Sequence, residues 1–235
     1  MFITDPRAHG LRFNPWKALV VPRPIGWVST LSADGVRNLA PFSYFNSVAD
    51  FPPMVMFAPI GPKPDGNGKD TYQNILQTQQ FVVNLVNAEL ALAMNASSTH
   101  FDADVDEFMV AGVAAAPCVH VKPPRVAQAP VSLECILVTC LCLPTDKPPI
   151  QNNLVIGRVV GIHIDDNILT DDMVDIAKYQ PLARLGYFDY TVIRSAMSLE
   201  RPDLNPTEVA AELGSLLGVA SRPSGENAEQ KLPFA

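Results

Sequence analysis

Twenty-two prolines and thirteen glycines divide this 235-residue chain into short segments, most of them rich in Val, Ile, Phe and Tyr rather than in helix formers. Helix interiors tolerate neither residue well, whereas strands separated by tight turns accommodate both. A strand-dominated core is therefore expected. The run PIGWVSTLS, the turn ADG and the run VRNLAPFSYFNSV read as a hairpin in which Asp34 and Gly35 supply the turn. Further strands are expected at PMVMFAPI, FVVNLV (81–86), VHVKPPRV, APVSLECILVTCLCL and LVIGRVVGIHI (154–164). Six or more strands carrying this much apolar surface predict a closed or nearly closed barrel, because closure removes sticky edges. The fold class expected is mainly β, a barrel with a few inserted and peripheral helices.

Helical patterns fall between these strands. After the loop GPKPDGNGKD, Asp70 is placed to cap a helix with Gln73 three residues on, and Ile75 and Leu76 would face inward. AELALAMNASS and DADVDEF read as short helices in a connecting excursion, and DDNILTDDMVDIAKY as a short helix capped by Thr170. Asn205, Pro206 and Glu208 form an N-terminal box for a peripheral helix over 205–219. The last sixteen residues, ASRPSGENAEQKLPFA, have the composition of a tail. With no internal repeat, the expected organisation is one domain over 1–200 followed by a C-terminal helix and tail over 201–235.

A formal net charge of −7 and a pI near 5.0 argue against a general nucleic-acid or acidic-membrane binder, which needs a basic footprint. The N-terminus has no basic stretch followed by an apolar run, and no segment reaches the roughly 18 apolar residues of a spanning helix. A cytoplasmic protein acting on small molecules or protein partners is expected. The four cysteines are too few and too unevenly spaced for a disulfide scaffold, and they form no second ligand pair for zinc.

Three stretches could carry chemistry. In PRPIGWVST, strand alternation puts Trp27 and Ser29 on one face and Val28 and Thr30 on the other. Ser29 and Thr30 then read either as a polar stripe or as hydroxyls for phosphate oxygens. In RNLAPFSYFNSV, Ser43, Phe45 and Ser47 would share one face and Phe42, Tyr44 and Asn46 the other. That mixture suits either a core strand or the edge of a planar heteroaromatic ligand. GNGKDT combines glycines, Lys69, Thr71 and a helix start, features that favour an anion but equally suit a solvated loop. It lacks the phosphate-loop spacing, because Lys69 precedes Asp70. His163, at a strand end beside two acids, reads as structural rather than as a base. No GxSxG, HExxH or GxGxxG is present, which counts against a hydrolase, a zincin and a Rossmann dehydrogenase.

Taken together, PRPIGWVSTLSADGVRNLAPFSYFNSVADFPPMVMFA, KDTYQNI, FVVNLV, VIGRVVGIHIDD and PLARLG resemble the flavin reductase-like, FMN-binding split-barrel family that includes flavoredoxin. The likeness is collinear from about Pro22 to Tyr190. It implies a split β-barrel, a homodimer and non-covalent FMN near the subunit interface. On the matching blocks, Ser29, Thr30, Asn46, Ser47, Lys69 and Thr71 would hold the ribityl chain and phosphate, with Asp70 beside them. Trp27, Pro41, Phe42, Ser43, Tyr44 and Phe45 would flank the ring, and Arg184 would reach the site from the far end of the chain or from the partner. NADH or NADPH would donate hydride, and electrons would pass to a flavin, a partner protein or a small acceptor. The alternative is an FMN-carrying electron-transfer protein without nicotinamide turnover. No protein acid or base is required, since the cofactor carries the redox step, so no catalytic residue is assigned. Two departures stand out. The ARLG block usually continues with a second glycine but here reads LGYFDY, with Tyr187 and Phe188 adding bulk, and the GPKPDGNGKD loop is enlarged.

Overall fold

The computed structural model describes residues 1–6, 8–63, 68–199, 208 and 213. The expected helix over 205–219 and the tail lie outside the described residues, apart from Glu208 and Leu213. Two compact units divide the chain, Met1–Ala196 and Met197–Ala235. The first contains everything that follows.

Its opening elements are α1 (Trp16–Leu19), β1 (Arg23–Pro24), β2 (Gly26–Leu31), β3 (Arg37–Phe42), β4 (Phe45–Asp50), β5 (Pro53–Phe57), α2 (Asp70–Thr78) and β6 (Gln80–Leu85). An excursion carries α3 (Ala91–Ala96), α4 (Glu107–Ala111), β7 (Ala115–Ala116) and β8 (Arg125–Val126). Two 13-residue strands, β9 (Val131–Leu143) and β10 (Asn152–Ile164), are followed by β11 (Leu169–Thr170), β12 (Met173–Val174), α5 (Ile176–Tyr179), β13 (Leu182–Arg184) and β14 (Tyr190–Val192).

Seven strands form the main sheet, in the order β3-β2-β6-β9-β10-β5-β4. Its two edge strands, β3 and β4, are consecutive in sequence and separated only by Ser43 and Tyr44, so the sheet must curl until its edges approach. This is the split barrel. Inside lie Val28, Phe57, Phe81, Val83 and Val155, all fully buried, with Ile75 of α2 closing one end. On the opposite face of β2, Trp27 joins Leu39, Met94, Phe108 and Val126 in a second cluster beneath α3 and α4. The alternation expected for Trp27 and Val28 is thus present, and β2 is buried on both faces.

The structure departs from the sequence reading at several points. The run from Val36 to Val48 is two strands rather than one. At its break the Tyr44 carbonyl accepts from the Ala58 amide, and the Phe45 ring folds over Gly26, where a Cβ would lie 2.8 Å from it. VHVKPPRV is mostly loop, because Pro123 and Pro124 cannot donate to a ladder; only Arg125–Val126 pairs, with β7. Lys69, not Asp70, occupies the N-cap of α2, and Leu76 is exposed while Ile75 is buried. DDNILTDDMVDIAKY is not one helix. Asp171 and Asp172 both take positive φ, the geometry of a two-residue hairpin turn between β11 and β12. Asp175 then caps α5, and Thr170 donates to it at 2.9 Å instead of capping.

Candidate functional site

Strand β3 and the N-terminus of α2 lie side by side, and the connection between α3 and α4 crosses above them. A cleft opens between these three elements, lined by Asn38, Pro41 and Phe42 on one side, Lys69 and Thr71 on a second, and Ser97–Phe101 on the third. The enclosed space is about 70 Å³. It shares Pro41 and Ser98 with a roomier neighbour of about 300 Å³, lined also by Ser43, Asn95, Arg184 and Tyr190.

Positive charge is concentrated at the tighter end. Lys63 is 8% exposed; it donates to the Phe101 carbonyl at 3.0 Å and pairs with Asp70 at 2.6 Å. Asp70 therefore serves Lys63 rather than the helix cap, although it still sits in the first turn, where the helix dipole favours it. Lys69 lies 3.3 Å from Nδ1 of His100. Burial holds the Lys69 ammonium below the ordinary lysine range, the charge of Lys63 adds to the effect, and Asp70 opposes it. Two lysines line the cleft with Asp70 and with Glu107, whose pKa of about 7 leaves it only partly ionised near neutral pH, so the lysines' charge is not fully balanced, a demand that an anionic ligand would meet.

A buried hydrogen-bond network forms the floor. Glu107, at the start of α4, accepts from Asn38 Nδ2 at 2.7 Å and from the Leu39 amide at 2.9 Å. Asn38 Oδ1 accepts in turn from Thr71 Oγ1 at 2.7 Å and Thr30 Oγ1 at 3.2 Å, and Thr30 accepts from Asn74 at 3.0 Å. Thr71 thus turns only acceptor capacity toward the cleft, since its proton is committed. Burial pushes the Glu107 carboxyl up to about 7, against the pull of its hydrogen bonds from Leu39 and Asn38.

Of the residues singled out in the sequence, Pro41, Phe42, Lys69, Asp70 and Thr71 converge on the cleft, and Ser43 and Arg184 line its neighbour. The Arg184 guanidinium is held by the Tyr190 hydroxyl and the Tyr187 carbonyl, with its carbon 4.4 Å from the Tyr190 ring centroid. Trp27, Ser29 and Thr30 lie beneath, fully buried. Trp27 Nε1 donates to Ser97 Oγ at 2.8 Å, fixing the third wall, while Ser29 donates to the Pro124 carbonyl at 2.6 Å and lines neither cavity. Because the chain turns at Ser43–Tyr44, Phe45, Asn46 and Ser47 border a separate cavity of about 240 Å³ with Pro24 and Tyr179. Tyr44 stacks under the Arg23 guanidinium at 5.9 Å.

Sequence reasoning missed Lys63, Glu107 and the Ser97–Phe101 wall. A signal existed: SSTH places three hydroxyls and an imidazole in a row, and no proline or glycine interrupts the chain between Gly68 and Gly112. Elsewhere, Cys118, Glu134 and His163 bring ligand-type atoms within 4.8 Å of one another. The Glu134 carboxylate there is consumed by the Val119 and His120 amides and by His163 Nε2 at 2.6 Å, which pins the 118–124 loop to β9. His163 is structural in this sense.

The fold and site together are those of a split barrel with a lysine- and hydroxyl-lined cleft beside a cavity of mixed polar and apolar walls. Residues 18–187 match the model of the flavin reductase like domain. An uncharacterized protein of Aquifex aeolicus is 41% identical over 169 residues, covering 72% of this chain and 83% of its own. Among solved structures, nitrilotriacetate monooxygenase component B from Bacillus cereus superposes with a TM-score of 0.76 at 26% identity, over 85% of this chain and 98% of that one. The 2-nitrobenzoate 2-nitroreductase NbaA of Pseudomonas fluorescens does so at 0.70 and 28%, over 81% and 90%. The chain belongs to the flavin reductase-like family. No helix among the described residues is long and apolar enough to cross a membrane.

Proposed function

We propose that this chain is an FMN-dependent oxidoreductase that takes hydride from NADH or NADPH and passes electrons to a flavin, a protein or a small acceptor. The observation that carries the reading is the cleft itself. Its half-buried Lys69, whose charge is left to the cleft because Asp70 pairs with Lys63, suits a phosphate dianion beside the Ser97–Phe101 wall, where the Ser97 and Ser98 hydroxyls already donate to the Met94 and Asn95 carbonyls. The adjoining cavity, walled by Pro41, Ile25 and Tyr190 and edged by Ser43 and Asn95, suits a planar ring with polar edges. The donor set fits FMN.

When bound, FMN supplies the hydride-accepting and electron-passing chemistry. The chain's own residues bind, orient and shield. Lys69 anchors the phosphate end, and Asn38, which takes the Thr71 hydroxyl proton, ties the start of α2 to β3. Trp27, through Ser97, holds the third wall in register with β3. The named relatives at 26% and 28% identity, an oxygenase component and a nitroreductase, support a redox role. A homodimer that completes the site across its interface is part of the same proposal, as is a cytoplasmic setting.

The test is the visible spectrum of the purified protein and its response to each nicotinamide. A flavin spectrum that bleaches within catalytic times on adding NADH or NADPH is the expected result. Flavin that bleaches only with dithionite or a partner would reduce the reading to an electron carrier, and a colourless protein that takes up no FMN would reject it.

A further inference from the structure

Beside the cavity that holds Ser43 and Arg184, residues 13–17 and the turn after β13 border a recess of about 680 Å³ lined by Phe13, Asn14, Trp16, Lys17, Tyr187 and Phe188. Phe188 also lines the cavity that holds Ser43 and Arg184, so the two spaces have a wall in common. We propose that this recess is a substrate subsite for a planar aromatic ring carrying a negative charge, the class of compound that would exchange electrons at the adjoining ring cavity. The proposal rests on the flavin reading for its redox role, but not for the binding itself.

The recess is built rather than left over. Gly186 lies against α1 so closely that a Cβ there would sit 2.4 Å from the Ala18 Cβ. Arg23, 7% exposed, ties the two walls together: it donates to the Lys17 and Val20 carbonyls at 2.5 and 2.7 Å and to the Leu185 carbonyl at 2.9 Å. The turn holds Tyr187 at φ 54, a conformation that bulky side chains avoid unless the surroundings impose it. That backbone sets the Tyr187 ring 5.7 Å from the Phe13 ring. Despite these fastenings, Phe188 is 91% exposed and Trp16 57% exposed. The backbone on both sides of the recess is held while these aromatic side chains stay open to solvent, offering stacking faces to a ring.

Charge selects among rings. Lys17 lines the recess, the Arg12 guanidinium lies 5.2 Å over Phe13, and Arg184 stands on the cavity side of Phe188. None of the residues lining the recess is acidic. Aromatic faces beside basic groups favour an aromatic carboxylate over a neutral ring or an aliphatic acid.

Benzoate is the probe, followed by the fluorescence of Trp16 in the full chain, with and without added FMN. Trp27 is fully buried and supplies a constant background. A saturable change is expected with benzoate, with benzamide and cyclohexanecarboxylate each at least fivefold weaker, and with Trp16→Phe abolishing the signal. Phe188→Ala and Lys17→Ala, both at exposed positions, should each weaken benzoate at least fivefold. A linear response, equal binding of cyclohexanecarboxylate, or indifference to Phe188→Ala overturns the proposal. If FMN binds while benzoate does not, the subsite alone fails. Saturable benzoate binding by a protein that takes up no FMN would instead sink the flavin reading and leave the recess a ligand site.

Discussion

Asn38 donates to the Glu107 carboxylate at 2.7 Å while its own carbonyl oxygen receives the hydroxyl protons of Thr71 and Thr30. One amide thereby joins the floor of the cleft to its wall, and the carboxylate it meets is buried. Its pKa is raised from 4.5 to about 7, chiefly by burial and further by Asp70.

This shift makes a stability prediction with a definite sign. The folded state holds the Glu107 proton more tightly than the unfolded state does. The group's contribution is therefore complete below about pH 4.5 and is lost as pH rises through about 7. Glu107→Gln cannot titrate, and its packing cost is the same at every pH. In urea titrations the stability of the native protein minus that of the variant should fall by on the order of 3 kcal/mol between pH 4.5 and 7.5. A difference that stays level over that range would show that Glu107 ionises normally in the fold.

In the proposed FMN site Lys69 is the cation available to the phosphate, since Lys63 is already paired with Asp70 at 2.6 Å. Lys69→Ala should weaken FMN binding by about 1.5 to 3 kcal/mol, the range for a charge-assisted hydrogen bond, or roughly ten- to a hundredfold in Kd. Because Lys69 stands at the helix N-cap with an extended backbone and no side-chain capping bond, the same variant should keep its melting temperature within a few degrees. Unaltered affinity in a fluorescence titration of FMN would remove Lys69 from the phosphate site.

Much of this was legible in the sequence, for physical reasons that differ from residue to residue. Strand alternation separated Trp27 from Val28 correctly, and Lys69 and Thr71, expected at a helix start, do stand there and line the cleft. What could not be read was which groups are already spent. Ser29 and Thr30 look alike as free hydroxyls, yet the first is satisfied by the Pro124 carbonyl, 95 residues away, and the second by Asn38 and Asn74. Asp70 was readable as a cap only because its partner Lys63 lies across a loop. Asn46 and Ser47 left the cleft because the chain turns at Ser43–Tyr44, a bend fixed by the Phe45 ring over Gly26, which is a tertiary contact. Glu107 was invisible for the same reason: one acid among the four of DADVDEF says nothing of the β3 strand it will meet.

Inside the barrel, Gly157 and Phe81 form a matched pair. A Cβ at 157 would lie 2.3 Å from the tip of the Phe81 ring, which is fully buried among Phe57, Val155 and Cys135 and has nowhere to retreat. Gly157→Ala should cost about 1 to 3 kcal/mol through overpacking. Phe81→Leu alone should also destabilise, but the double variant should be less harmed than the two losses summed, because the shorter side chain clears the clash. Strict additivity in a double-mutant cycle would mean that the ring does not contact this glycine.

Arg23 offers the sharpest separation of local from global stability. Its guanidinium meets the Lys17 and Val20 carbonyls at the C-terminal end of α1, where a cation also suits the helix dipole, and it reaches the Leu185 carbonyl across the fold. Its Nε is buried without a partner, an uncompensated cost that lowers the net gain. Arg23→Met keeps the length and the apolar stem over Tyr44 but removes all three bonds. Allowing about 2 kcal/mol for the lost charge-assisted bonds, undocking of the N-terminal segment should become roughly thirtyfold more frequent. Trypsin cleavage after Arg12 and Lys17, both exposed, should accelerate by a similar factor, since proteolysis tracks the open population. The barrel core makes none of these bonds, so its thermal transition should move by only a few degrees. Benzoate affinity at the Phe13–Phe188 recess should fall in step with the cleavage rate, because both report the same wall leaving its place. Equal cleavage rates in the two proteins would show that Gly186 and Ala18 hold the segment without the arginine.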